Sequence, residues 1–460
     1  MNYLKLGTIL FAGLLSSHVS MSQVSGFDLS SQRKESADVP KLTGHQVDHK
    51  GLIINPVPNY LNLSISGTLD VTTGIKLSTK LGRQKRDIKE DLAFLPLQSA
   101  GVPLNIALEK TVKSHAVKPV SGAYSLRIHQ QGIDIVGYDD AGVYYGIQTL
   151  RQIMESPIAQ NGKTLPYLEV NDYPVFPYRG IIEGFYGTPW SHKVRLSLID
   201  FYGKYKLNTY IYGPKDDPYH SSPNWRKPYP ADEAKNIHEL VEACDKNRVE
   251  FVWAIHPGQN LIDFNLYEEE IEKLFAKYDS LHEAGVTSFA LCMDDIDRDL
   301  AYEQRDFHLK LVKDILKKLE NYENRKLLFV HPWYNSAWID EKGEEYFKLF
   351  QNLDRLEIMW TGYDVVVPIT KTSQEKFTEL SQKEANIWFN WPVNDYLRDR
   401  IFMEIFEFYD SSETNYKSIL SNPMNQAELS KISIFQIGEF AKNPKGFVPI
   451  ESFKRALAYI

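Results

Sequence analysis

From residue 178 onward, short apolar runs alternate with segments whose apolar residues recur every three or four positions. The runs 180–182, 209–212, 251–255, 288–293, 327–330, 357–360, 386–389 and 418–420 have the length and composition of buried strands. Between them, Ile271, Leu274, Phe275, Tyr278 and Leu281 share one helical face, and so do Phe307, Leu311, Ile315 and Leu319. Eight strands alternating with helices predict a closed (β/α)8 TIM barrel of parallel strands rather than an open doubly wound sheet. One more helix is expected over 428–440, followed by a short tail.

Upstream the pattern is mixed. Leu61, Leu63 and Ile65 alternate with polar positions, and 124–128 and 133–136 form two strands split by Gln131-Gly132. Asp139-Asp140 then precedes a helix over 143–153. A small α/β domain is therefore expected over 59–172, ahead of a barrel over 173–460. Residues 23–58 are polar and aperiodic, as in a loose leader or linker. Lys5, the apolar run Leu6 to Leu15 and the small residues before Gln23 predict an export signal over 1–22. That run is too short to span a bilayer, so a secreted or periplasmic protein is expected, with no membrane insertion of the mature chain.

Composition narrows the function. A net charge of -8 leaves no basic footprint, which argues against nucleic acid as a partner. Aromatic residues make up 13 %, with 27 Tyr and 8 Trp, which suits either a large core or stacking on sugar rings. Cys244 and Cys292 are too few for a disulfide framework or a zinc cluster, and are expected to be buried apolar groups. His256 has no second histidine at helical spacing, and the run through Asp297 and Asp299 lacks the glycine and terminal glutamate of a calcium loop. No metal and no cofactor is expected.

A barrel of this kind carries its chemistry on the loops after its strands. Those loops are rich in polar and aromatic residues: Glu183 to Gly187, Gly213 to His220, His256 to Gln259, Asp294-Asp295, His331 to Asn335, Thr361-Gly362, Asn390 to Asp395 and Asn422 to Met424. Two acids at such a mouth suit glycoside hydrolysis, where one group protonates the leaving oxygen. Adjacent residues cannot take up both the acid and the direct-nucleophile positions. The spacing points instead to attack by the substrate's own 2-acetamido oxygen, with one Asp polarising the acetamide and the other acting as acid and base. Other acid pairs, Asp139-Asp140 and Asp216-Asp217, suit turns or helix caps, so position rather than pairing singles out Asp294 and Asp295.

The run Arg179 to Trp190 resembles the first barrel strand of glycoside hydrolase family 84, the O-GlcNAcases and hyaluronidase-like β-N-acetylglucosaminidases. Asn208 to His220, Phe251 to Gly258 and Met359 to Gly362 are similar to the same family, and Ala141 to Leu150 resembles the accessory α/β domain of several hexosaminidase families. The resemblance implies a retaining exo-β-N-acetylglucosaminidase acting through an oxazoline on β-GlcNAc-terminated glycans or glycoproteins. It implies that Asp294 polarises the acetamido group, that Asp295 is the acid/base and that Tyr334 bonds the acetamido oxygen. Tyr186, Thr361 and Trp388 would wall the N-acetyl pocket, while the Gly184 carbonyl, Lys215, Asn390, Asp395 and Asn422 would hold the sugar.

The chain departs from the family pattern at several points. The loop holding Tyr334 is one residue shorter, Tyr363 replaces a charged residue, and Ile401 to Glu407 stand where a glycine-containing loop is usual. Asn425-Gln426 replaces an acidic and a basic residue, and the helical domain that follows the barrel in bacterial relatives is not expected within these residues. A family-20-type β-hexosaminidase is an alternative, although its pair is typically Asp-Glu. A catalytically weak secreted GlcNAc-binding protein is another.

Overall fold

A computed structural model describes residues 51–460, except 82–87, 114–116, 222, 258–261 and 408–415. The expected export signal, most of the expected leader, and Gly258 and Gln259 lie outside the described residues. The end of that leader is packed rather than loose: Ile54 and Asn55 are buried, and the Asn55 N–H donates to Gln152.

The N-terminal α/β domain is built on six strands: β1 (Tyr60–Asp70), β2 (Ile75–Lys80), β3 (Val102–Leu108), β4 (Tyr124–His129), β5 (Gly132–Gly137) and β6 (Thr164–Asp172). They lie in the order β1-β6-β4-β5-β3-β2. The pairs β1/β6, β6/β4 and β4/β5 are antiparallel, whereas β5/β3 and β3/β2 are parallel. The helix Asp140–Glu155 covers this sheet with Val143, Ile147 and Leu150, and Asp139 caps it by accepting the Gly142 N–H.

The second sheet closes on itself. Its strands are β7 (Tyr178–Glu183), β8 (Thr209–Tyr212), β9 (Glu250–Ile255), β10 (Ser288–Cys292), β11 (Leu327–Val330), β12 (Leu356–Trp360), β13 (Ala385–Phe389) and β14 (Tyr416–Ser421). All neighbours are parallel and β14 pairs back onto β7, which gives a (β/α)8 barrel. Side chains alternate as strand geometry requires. Ile182, Ile211, Val252, Ala254, Ala290, Cys292, Val330, Met359, Trp388 and Leu420 form one cluster inside the barrel. The intervening Ile181, Tyr210, Phe251, Trp253, Phe289 and Ile358 join the larger cluster between strands and helices. Both cysteines are free and buried.

The tail is not irregular: Pro449–Tyr459 is a further helix after Ala427–Lys442. Pro449 opens it, where a missing N–H costs nothing, and Ser452 and Ala456 are buried. Among the described residues, no helix is long and apolar enough to cross a membrane.

Candidate active site

The inward side of the barrel continues past the strand ends into the loops. Counting by twos from Cys292 brings Asp294 to the inner side, where it is buried at 6 % exposure. Lys215, from the loop after β8, reaches it, with Nζ 2.6 Å from Asp294 Oδ2. Asp216 and Asp217, next to Lys215 in the chain, bond elsewhere. Those acids are used locally: Asp216 accepts the Gly187 N–H, and Asp217 accepts the Tyr212 and Tyr229 hydroxyls. The other oxygen of Asp294, Oδ1, is buried and accepts no hydrogen bond from any described residue. His256 Nε2 lies 3.6 Å from it and donates instead to the Asp294 carbonyl at 3.0 Å. Burial disfavours the Asp294 charge, but Lys215 first and His256 second outweigh it and hold the carboxyl below the usual carboxylate range.

Strand alternation alone would send Asp295 away from Asp294. Its backbone is left-handed, with φ of 58°, which a residue with a Cβ adopts only at some cost. The turn brings its carboxylate back to the mouth, where Tyr186 donates to Oδ2 at 2.7 Å and Tyr334 to Oδ1 at 2.9 Å. His256 holds the carbonyl that leads into this turn.

A chain of hydrogen bonds ties the remaining loops together. The Gly184 N–H donates to Asn422 Oδ1 at 3.3 Å, Asn422 Nδ2 to Asn390 Oδ1 at 3.0 Å, and Asn390 Nδ2 to the Val365 carbonyl at 2.8 Å. Trp388 Nε1 also donates to Asn390 Oδ1, which fixes the orientation of the indole. The Thr361 hydroxyl donates to the Asp364 carbonyl, and its N–H holds the Tyr334 carbonyl. Asp395 accepts the Tyr186 N–H at 2.8 Å, and burial pushes its carboxyl above the usual range. Tyr186 is 42 % exposed, so it is a mouth residue and not part of the core. Trp338 packs edge-on against Tyr334 with ring centroids 4.8 Å apart, and Arg298 lies over Trp338, two contacts the sequence did not single out.

Gly184 is where the backbone must pass close to a ring. A Cβ there would sit 2.6 Å from Trp388 Cζ2. Gly184→Ala is expected to displace the indole and lower kcat/KM by about tenfold or more, since small misplacements in a binding pocket are costly. Steady-state kinetics beside a melting curve checks this, and unchanged kinetics would remove Trp388 from the pocket wall.

Two other buried carboxylates in the barrel are already paired. Glu183 is fully buried and saturated by Arg195, Tyr210 and the Trp190 N–H. A cavity at the opposite end of the barrel contains Glu357, which is bridged by Lys326 and Lys417 at 2.9 and 2.8 Å.

Known proteins resemble this chain to different extents. Residues 53–173 match glycosyl hydrolase family 20, domain 2, and residues 179–460 match the family described as beta-N-acetylglucosaminidase. Protein O-GlcNAcase of Rattus norvegicus is 29 % identical over 283 residues, covering 57 % of this chain and 30 % of that protein. The chain thus spans under a third of that relative's length. A beta-hexosaminidase of Vibrio vulnificus is 32 % identical over 165 residues, or 35 % of this chain and 18 % of the relative. Among solved structures, CpGH84B superposes with a TM-score of 0.77 at 28 % identity, over 89 % of this chain and 74 % of that one. The O-GlcNAc hydrolase of Thermobaculum terrenum gives 0.57 at 28 % identity, over 62 % and 63 %. With more than half of its length matched and its barrel shared with such structures, the chain belongs to the β-N-acetylglucosaminidase family of glycoside hydrolase family 84.

Proposed function

We propose that the chain is a retaining exo-β-N-acetylglucosaminidase that removes terminal β-linked GlcNAc from glycoconjugates by substrate-assisted catalysis. The observation that carries this reading is Asp294 Oδ1, a buried carboxylate oxygen at the mouth with no hydrogen-bond donor among the described residues. Such a group calls for an explanation, and a substrate N–H supplies one. Lys215 keeps the carboxyl ionised, so that it can orient the acetamide and stabilise the positive charge that develops on its nitrogen.

In the first step the acetamido oxygen attacks C1 and the glycosidic C1–O bond breaks. Asp295 gives its proton to the leaving oxygen, and an oxazolinium ion forms whose N–H stays held by the Asp294 carboxylate. In the second step Asp295 takes a proton from water, the water oxygen bonds to C1 and the oxazoline ring opens, so two inversions give retention. The Tyr186 hydroxyl on Asp295 can donate or accept, and so can follow its proton through both steps. Tyr334 reaches the acetamido oxygen by turning its hydroxyl from Asp295. The tied arc from Val365 to Gly184 walls one side of the mouth, which suits a terminal sugar. On this reading Lys215, Asn390, Asp395 and Asn422 hold its hydroxyls. The export signal read over 1–22 supports a periplasmic or secreted setting for this activity.

Asp295→Asn tests the acid. On a peptide or alkyl β-GlcNAc substrate its kcat/KM is expected to fall about 10² to 10³-fold, the usual worth of a general acid. On the 2,4-dinitrophenyl glycoside, whose leaving group needs no proton, the first chemical step is expected to stay within about tenfold of wild type. Pre-steady-state release of dinitrophenol measures it, and an equal loss on both substrates would remove Asp295 from the acid role.

A further inference from the structure

Three cations and one carboxylate meet where the N-terminal sheet joins the barrel. Lys206, Lys442, Arg179 and Asp172 are all buried, and they line one narrow cavity together with Tyr124 and Tyr145. An ion taken out of water without a counter-ion is costly, so buried charges are normally matched. Here three positive charges face one negative charge. Arg179 gives its N–H groups to the carbonyls of Phe176, Pro177 and Lys206 and to the Tyr145 hydroxyl. Asp139 and Glu439 also act on this cluster, but neither lines the cavity. Asp139 caps its helix, and Glu439 pairs with Arg455. Burial pushes all three cations below their ordinary values, Lys206 to about 8, and Lys442 and Arg179 add to that push against Asp172.

The hydrogen bonds are unbalanced in the same direction. Asp172 already accepts from Lys442, Lys206, the Tyr124 hydroxyl and the Asn59 N–H, which fills its lone pairs. Lys206 gives a second N–H to the Tyr124 hydroxyl, and Lys442 gives one to the Val57 carbonyl. Each ammonium group keeps a third N–H with no acceptor among the described residues. The Tyr145 hydroxyl accepts from Arg179, burial keeps it a phenol, and its own hydrogen has no acceptor either. A water molecule would accept two of these three donors but would bring two hydrogens of its own, with no acceptor left for them. An anion accepts all three, brings none and supplies missing charge. We propose that this cavity is a site for a small monovalent anion such as chloride, held by the Lys206 and Lys442 ammonium groups and the Tyr145 hydroxyl. The cavity has room for about one water-sized group, which excludes phosphate and sulfate. Lys206 precedes β8, Lys442 ends the helix after the barrel, and Tyr145 lies on the helix of the N-terminal domain. The bound anion therefore clamps that domain to the barrel.

Melting curves at constant ionic strength, with sodium chloride exchanged stepwise for sodium gluconate, test the site. Gluconate is too large for the cavity and serves as the reference anion. Chloride is expected to raise Tm saturably by about 2 °C or more, as a ligand that binds only the folded chain does. In Lys206→Met the rise is expected to disappear. In Tyr145→Phe, which keeps the packed ring and removes only the hydroxyl, it is expected to fall by about half or more. Long-wavelength diffraction from crystals grown in chloride is expected to show an anomalous peak within hydrogen-bond reach of the Lys206 and Lys442 Nζ atoms. The same Tm in chloride and gluconate, an equal rise in all three proteins, or no anomalous peak in the cavity overturns the site.

Discussion

Asp294→Asn is expected to lower kcat about 10³-fold on every β-N-acetylglucosaminide, whether its leaving group is good or poor. The asparagine keeps the shape and one acceptor oxygen, but it removes the negative charge facing the acetamide nitrogen in the transition state. Removing a single preorganised hydrogen-bonding group from such a site costs about 10² to 10³-fold, and loss of a full charge belongs at the upper end. Because no proton on the leaving group is involved, 2,4-dinitrophenyl and peptide glycosides suffer alike, unlike the outcome for Asp295→Asn. Lys215→Met gives an independent check. With the ammonium gone, burial dominates and raises the Asp294 carboxyl from its depressed position. The acidic limb of the pH profile of kcat/KM then moves to higher pH. If Asp294→Asn retains a tenth of the activity, the acetamide has another partner and the assisted mechanism loses its main support.

Much of this site was legible because strand alternation outlasts the strands. Counting by twos from inward residues leads from Ile182 to Gly184 and Tyr186, from Ile211 to Lys215, and from Cys292 to Asp294. The same count leads from Val330 to Tyr334, from Met359 to Thr361, from Trp388 to Asn390 and from Leu420 to Asn422. Asp295 and Asp395 break the count. For Asp295 the reason is a left-handed backbone, which no period in the sequence announces. The Lys215–Asp294 pair joins residues 79 apart in the chain, which no local pattern announces. In the N-terminal domain, β2 was missed because five of its six residues are at least partly exposed and its polar Lys76, Ser78, Thr79 and Lys80 hide the pattern of a strand. Strand β6 was missed although Leu168 and Val170 are buried, because Pro166, Asn171 and Asp172 read as turn residues. Tertiary pairing, not propensity, makes those strands.

Asp172→Ala is expected to destabilise the protein by about 3 to 5 kcal/mol, the usual cost of leaving a buried charge without its partner. Asp172 ends β6, and its side chain is 1 % exposed. Its Oδ1 lies 2.6 Å from Lys442 Nζ, and its Oδ2 lies 3.3 Å from Lys206 Nζ. Tyr124 donates to Oδ2 at 3.0 Å and the Asn59 N–H to Oδ1 at 3.0 Å. One anion thus holds together the N-terminal sheet, the segment before β8 and the helix after the barrel. Truncation leaves two ammonium groups facing each other in a buried site. Burial already pushes Lys206 down to about 8, with Asp172 the main opposing influence. Burial opposes the Asp172 charge as well, but Lys442 and then Lys206 hold its carboxyl below the ordinary value of 3.8. A carboxyl depressed on folding adds stability that is present above its unfolded pKa and is lost as pH falls through the folded one. The gap between wild type and Asp172→Ala is therefore full near pH 7 and narrows below about pH 4. Lys206→Met is expected to cost less than Asp172→Ala, because Lys442 still pairs with the carboxylate at the shorter distance. Urea unfolding at pH 7 and near pH 3 measures all three proteins. A loss below about 1 kcal/mol for Asp172→Ala at pH 7 would mean that water reaches the two lysines and that this cluster does not fasten the sheet to the barrel.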